Sequence, residues 1–283
     1  SSVSHSFQKS CCKYNSVEKG LFSHFMLKEI YEQPTALRDT LQNCFGEAES
    51  LKNNLSFFFN TCNNTRRIYL IGCGSAYHAA LSGKYVFEKL TKTPAEAVIA
   101  SEFCTADYPV TKDCLCIFIS QSGETADTLC ALRKAKEKGA FTLSVVNVAE
   151  SSVSLLSDRV IYTKAGPEIA VATTKAYTCQ LIVLYFIAVL SARRMELLKK
   201  GDYDYYIDEL TSLSEKTEGI ICRQDEFHEI AKLLSLQQNI RFIGRNTDYV
   251  AALEGALKMK EITYIPSEAY AAGELKHGTI SLI

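Results

Sequence analysis

Between Arg66 and Thr163, short β-rich apolar runs alternate with stretches long enough to form helices: Ile68–Ile71, Ala95–Ala100, Leu115–Ser120, Phe141–Val146 and Val160–Thr163. Five such strands predict right-handed βαβ crossovers and a five-stranded parallel sheet covered on both faces, a doubly wound α/β fold. A ligand then belongs at the carboxyl ends of the strands, near a switch point in strand order. Upstream, Met26, Ile30, Tyr31, Leu37 and Leu41 have helical spacing, with Pro34 marking a turn or helix start. Residues 1–23 have no sustained period and read as a tail. Downstream, a long helix from Thr173 to about Leu198 closes the unit. Its most apolar part, Leu181–Ala192, is shorter than the ~20 residues that span a bilayer and reads as a buried helix.

The pattern then recurs. Ile68–Gly83 aligns without gaps on Ile240–Gly255, an offset of 172 residues with identity at eight of sixteen positions, and both copies read strand, glycine turn, helix. The chain is therefore expected to hold a first unit over 24–200, with leading N-terminal helices, and the start of a second, truncated unit over 201–283. The helical stretch Tyr203–Leu236 joins them.

Composition narrows the function. With 283 residues, 47% hydrophobic content and a formal net charge of −1, the chain can bury a core, and it lacks the basic block that nucleic acid or an anionic membrane surface requires. Eleven cysteines lie at neither disulfide-scaffold nor zinc spacings. They are expected to be reduced thiols in a cytoplasmic protein, with no metal bound. Gly72-Cys-Gly-Ser75 resembles a dinucleotide fingerprint, but Tyr77 stands where the third glycine belongs, and no nucleotide or other cofactor is expected.

Chemistry concentrates after the third strand. Ser120-Gln-Ser-Gly-Glu-Thr125 leads an apolar strand into a helix, so free N–H groups and the helix dipole meet three hydroxyls around one anion, which suits a phosphate. Helix capping is the other use of such hydroxyls. On helix 248–261, Glu254, Lys258 and Glu261 fall within roughly 60° around the axis at about 100° per residue. Such a face is either a solvated ion-pair ladder or a placed general base with its lysine. His277, in Gly273-Glu-Leu-Lys-His-Gly278, is a surface group or a functional one.

Taken together, Cys73-Gly-Ser75, Ser120–Thr128, Ala165–Tyr177, Glu254–Ile262 and Glu268–Gly278 closely resemble the isomerase half of the glutamine–fructose-6-phosphate aminotransferase family, which is built from paired sugar isomerase (SIS) domains. The resemblance runs from about Glu18 to the end. It implies that Ser120, Gln121, Ser122 and Thr125 bind the phosphate of fructose 6-phosphate, that Cys73, Gly74 and Ser75 line the same pocket, and that Val171 and Thr173 contact the sugar. It implies Glu261 as the base moving a proton between C1 and C2, Lys258 and Glu254 beside it, and His277 as a ring-opening group reaching the site of a neighbouring subunit in a homodimer. Ala76 replaces a serine that many relatives carry. The family's glutaminase domain and the rest of the second SIS domain lie outside this chain, which alone is expected to be inactive or weak. Two other readings compete: a non-catalytic sugar-phosphate-binding module, and a ketose/aldose phosphate isomerase without amination.

Overall fold

A computed structural model describes residues 18–50 and 65–282, so most of the expected tail lies outside the described residues. Strands β1 (Arg67–Gly72), β2 (Ala95–Ile99), β3 (Cys114–Ser120), β4 (Phe141–Val146) and β5 (Arg159–Tyr162) form one parallel sheet in the order β2-β1-β3-β4-β5. Each strand lies within a residue or two of its expected run. Alternate residues of the two central strands serve opposite layers. Ile68, Leu70, Leu115, Ile117 and Ile119 pack under helices α1 (Phe25–Ser50), α2 (Ser75–Thr91) and α6 (Lys175–Arg194). Tyr69, Ile71, Cys116 and Phe118 pack under α3 (Ala100–Thr105), α4 (Ala126–Glu137) and α5 (Ser152–Leu156).

Two sequence expectations change. Pro34 does not break the first helix but sits inside α1. Its missing N–H frees the Ile30 carbonyl, which accepts from Gln33 Nε2 at 3.3 Å instead. The proline costs about 3 kcal/mol in a helix interior, whereas Leu37, Leu41 and Cys44 from the same helix are buried in the core, each large side chain contributing about 1.5–3 kcal/mol. Burial wins. The second change is length: the helix expected from Thr173 to about Leu198 spans Lys175–Arg194, 20 residues, enough by length and composition to cross a membrane, yet 72% of its apolar window is buried inside the protein. It is the central helix of one layer, as the apolar stretch suggested.

Helix α7 (Lys200–Ile221) follows, and its Leu210 joins the same core. Ser214 Oγ donates to the Pro34 carbonyl at 2.8 Å and accepts from Arg38 at 3.2 Å, so the packing of the first unit extends past residue 200. Helix α8 (Gln224–Leu234) leads into β6 (Ile240–Gly244), α9 (Thr247–Thr263) and β7 (Ser267–Ala271).

The repeat is reproduced to the level of backbone angles. Ile68 pairs with Ala95 as Ile240 pairs with Ser267, in parallel register. Gly74 (φ 56°, ψ −128°) and Asn246 (φ 50°, ψ −121°) open α2 and α9 with the same left-handed turn, and Lys92 and Tyr264 end them in the αL conformation. At the strand-to-helix turn, a Cβ on Gly72 would stand 2.8 Å from the Ala76 backbone, and one on Gly244 would stand 2.3 Å from the Asp248 carbonyl oxygen. These glycines admit the helix itself, not a ligand. Gly72→Ala is expected to lower stability by about 1–3 kcal/mol, because backbone cannot yield as a side-chain end can; a urea midpoint equal to wild type would refute this.

Candidate functional site

The sheet order reverses between β1 and β3, and the loops leaving these two strands open a crevice at their carboxyl ends. One wall is the segment between β3 and α4. Ser120 Oγ accepts from the Gly123 N–H at 3.0 Å and lies 3.3 Å from Thr125 Oγ1; Ser122 Oγ accepts from the Glu124 N–H at 3.2 Å. Gly123 has φ +67° and no room for a Cβ beside Ser151. Accepting a backbone N–H leaves each serine its own O–H to donate. Thr125 stands at the N-cap of α4 but makes no capping bond, so the capping alternative fails at Thr125. The Glu124 carboxylate accepts from the Ser152 N–H at 2.7 Å, which depresses its pKa and anchors the loop to α5.

A second wall is the segment between β5 and α6, held by carboxylates. Glu168 accepts from Thr173 Oγ1 at 2.6 Å and from the N–H groups of Thr174 and Ala176 at the start of α6. From α1, the buried Glu29 accepts from the N–H groups of Ile169 (2.6 Å) and Ala170 (3.1 Å), and Glu32 pairs with the buried Lys175 at 2.7 Å. Val171, at the tip, is 99% exposed while lining the crevice.

The third wall comes from the repeat. Helix α9 packs on α2 and carries Glu254, Lys258 and Glu261 toward the crevice. Glu254 is 7% exposed and accepts from Ser75 Oγ at 2.7 Å; its other oxygen lies 2.7 Å from His78 Nδ1. Lys258 Nζ lies 3.6 Å from Glu254 and 2.5 Å from Glu261. The face is therefore not a solvated ladder: its first carboxylate is buried between the two units, and Lys258 links it to the second. The neighbouring Tyr177 phenol is raised in pKa by burial and by the Glu254 charge.

These walls enclose a cavity of about 310 Å³. Of the residues expected to act, Cys73, Ser75, Ser120, Gln121, Ser122, Thr125, Val171, Thr173, Lys258 and Glu261 line it together. Gly74 does not; its positive φ shapes the turn below. Glu254 lies behind the lining and holds Lys258. His277 is exposed on the turn after β7 and does not line this cavity. Sequence reasoning missed His78, Thr128, Glu168 and Gln180. His78 adjoins the Cys73–Ser75 motif, but neither hydropathy nor spacing announces its partner 176 residues away.

The SIS domain model matches residues 62–190 and 233–283. The glutamine–fructose-6-phosphate aminotransferase [isomerizing] of Clostridium acetobutylicum is 47% identical over 270 residues, 95% of this chain and 44% of that protein. The solved C-terminal domain of glucosamine-fructose-6-phosphate aminotransferase from Francisella tularensis is 39% identical, with a TM-score of 0.87 over 94% of this chain and 75% of that one. The chain belongs to the SIS domain family. Within it, the chain is an isomerase part of the aminotransferase kind, and it spans less than half the length of the curated relatives it matches. A phosphosugar isomerase fold from Clostridium difficile, 23% identical with a TM-score of 0.78, shares the architecture alone. The SIS match covers both units and passes over most of α7 and α8 between them.

Proposed function

We propose that the crevice binds fructose 6-phosphate and that, in the whole protein, this part converts it with glutamine-derived ammonia to glucosamine 6-phosphate. One observation carries the reading: a single cavity joins the hydroxyl-rich loop of the first unit to the Lys258–Glu261 pair of the second. Ser120, Ser122 and Thr125 direct hydroxyls to the phosphate, and the first-turn N–H groups of α4 add the positive end of a helix. Binding at the phosphate end fixes C1 and C2 before the proton moves. Glu261 takes the proton from one carbon and returns it to the other, while Lys258 orients its carboxylate and offsets charge developing on the adjacent oxygen. Glu254, held by Ser75 and His78, fixes Lys258. His277, outside this cavity, serves the ring-opening step in the cavity of a second copy, so the working unit is a homodimer. The free cysteines among the described residues fit a reducing cytoplasm.

The test is calorimetry on this chain with fructose 6-phosphate. Replacing Ser122 and Thr125 together by alanine is expected to weaken binding at least tenfold while leaving the far-ultraviolet circular dichroism unchanged, since two charge-assisted hydrogen bonds are lost. Unchanged affinity would remove the phosphate assignment.

A further inference from the structure

Two cysteines on the layer opposite α6 differ from the thiols of the core. Cys104, near the end of α3, is half-buried, and Cys130, on α4, is exposed, whereas Cys44, Cys114, Cys116 and Cys179 are buried. Helices α3 and α4 pack side by side, and two contacts from α4 bracket residue 104. Its Sγ donates to the Asp127 carbonyl at 3.4 Å, and its carbonyl accepts from Lys134 Nζ at 3.2 Å. Lys134 also donates to the Ala106 carbonyl at 2.6 Å, which secures the end of α3. At about 100° per residue, positions 127, 130 and 134 of a helix fall within roughly 60° of one another. Cys130 therefore lies on the stripe of α4 that faces Cys104, between the two contacts, and its thiol interacts with the Cys104 thiol. Neither cysteine lines the cavity, and the proposed reaction uses neither.

We infer that Cys104 and Cys130 form a reversible disulfide, a thiol–disulfide exchange site whose co-reactant is a low-molecular-weight disulfide such as glutathione disulfide. The order of steps follows from the two environments. Burial, ahead of the interaction with Cys130, pushes the Cys104 pKa up to about 12, so this thiol is protonated at neutral pH. Exposed Cys130 meets the oxidant first. Its thiolate attacks one sulfur of glutathione disulfide, forming a Cys130–glutathione bond and expelling one glutathione thiolate, which takes a proton. Cys104 then gives its proton to solvent and attacks the Cys130 sulfur, aided by its fixed place beside it. The internal bond forms as the second glutathione leaves and is protonated. Two protein thiols are oxidised and one glutathione disulfide is reduced to two thiols, so atoms, electrons and protons balance. The bond ties α3 to the first turns of α4, the helix whose N-terminus forms part of the cavity wall. It involves none of the residues proposed to bind the sugar phosphate and stands independently of that reading.

The deciding experiment titrates this chain with glutathione disulfide until the exposed Cys222 carries glutathione, alkylates the remaining thiols and locates every link by tandem mass spectrometry without reduction. The expected product is a Cys104–Cys130 bond that dithiothreitol removes. In Cys104→Ser, Cys130 should keep one glutathione; in Cys130→Ser, Cys104 should remain a free thiol. The linked wild-type chain should unfold at a higher urea concentration than the reduced chain, because the cross-link constrains the unfolded state. No Cys104–Cys130 bond once Cys222 is modified overturns the inference. So does a wild-type chain in which the Cys130–glutathione adduct persists unresolved. A lower urea midpoint in the linked chain overturns it as well, since the fold would then not hold the two sulfurs ready to bond. Should either serine variant fail to fold, the wild-type link and its midpoint decide alone.

Discussion

Glu261→Gln, placed in the full-length protein, is expected to reduce formation of glucosamine 6-phosphate by 10²–10⁴-fold, the contribution of a positioned general base, while fructose 6-phosphate still binds with wild-type affinity. The amide is nearly isosteric and its oxygen can still accept from Lys258, which now lies 2.5 Å from the carboxylate. The geometry of the pair therefore survives. What disappears is the ability to take up a proton and return it. Turnover followed by amino-sugar formation, with affinity measured by calorimetry, separates the two effects. A variant that turns over at the wild-type rate would show that another group is the base, and a variant that loses binding would show that Glu261 holds the substrate instead.

The second large effect is expected at His78. Removing its ring in His78→Leu strips Glu254 of a 2.7 Å partner in a position 7% exposed to solvent. The carboxylate keeps Ser75 at 2.7 Å and Lys258 at 3.6 Å. Losing one hydrogen bond to a buried charged group costs about 1.5–3 kcal/mol. Because Glu254 joins α2 of the first unit to α9 of the second, the cost is felt where the two units meet. The urea midpoint should fall and turnover in the full-length protein should fall with it, since Lys258 and Glu261 take their position from Glu254. His78→Asn supplies an amide N–H near the same place and should recover most of both losses. A leucine variant with wild-type stability and rate would mean that Ser75 and Lys258 suffice to hold the carboxylate.

How much of this was legible beforehand varies by residue for physical reasons. The five strands were readable because a parallel sheet buried on both faces leaves long apolar runs, and all five fall within a residue or two of the expected limits. The repeat was readable because the same turn needs the same residues: Gly72 and Gly244 each face helix backbone that a Cβ would strike. Pro34 misled, because its local cost is smaller than the burial of Leu37 and Leu41 in the same helix. The hydroxyl loop left two uses open in the sequence, anion binding and helix capping, because both need the same residue types before a helix; the structure removes capping at Thr125 alone.

The sequence by itself determined the fold class, the duplication and the residue types gathered in five short segments, because periodicity and turn chemistry are local properties that each segment carries alone. Only the tertiary structure decided that Glu254 is buried and shared between Ser75 and His78, and that Glu29 and Glu32 on α1 reach the far loop. Each of these depends on residues more than a hundred positions apart. Burial and partnership belong to the packed molecule, and no spacing along one segment encodes them.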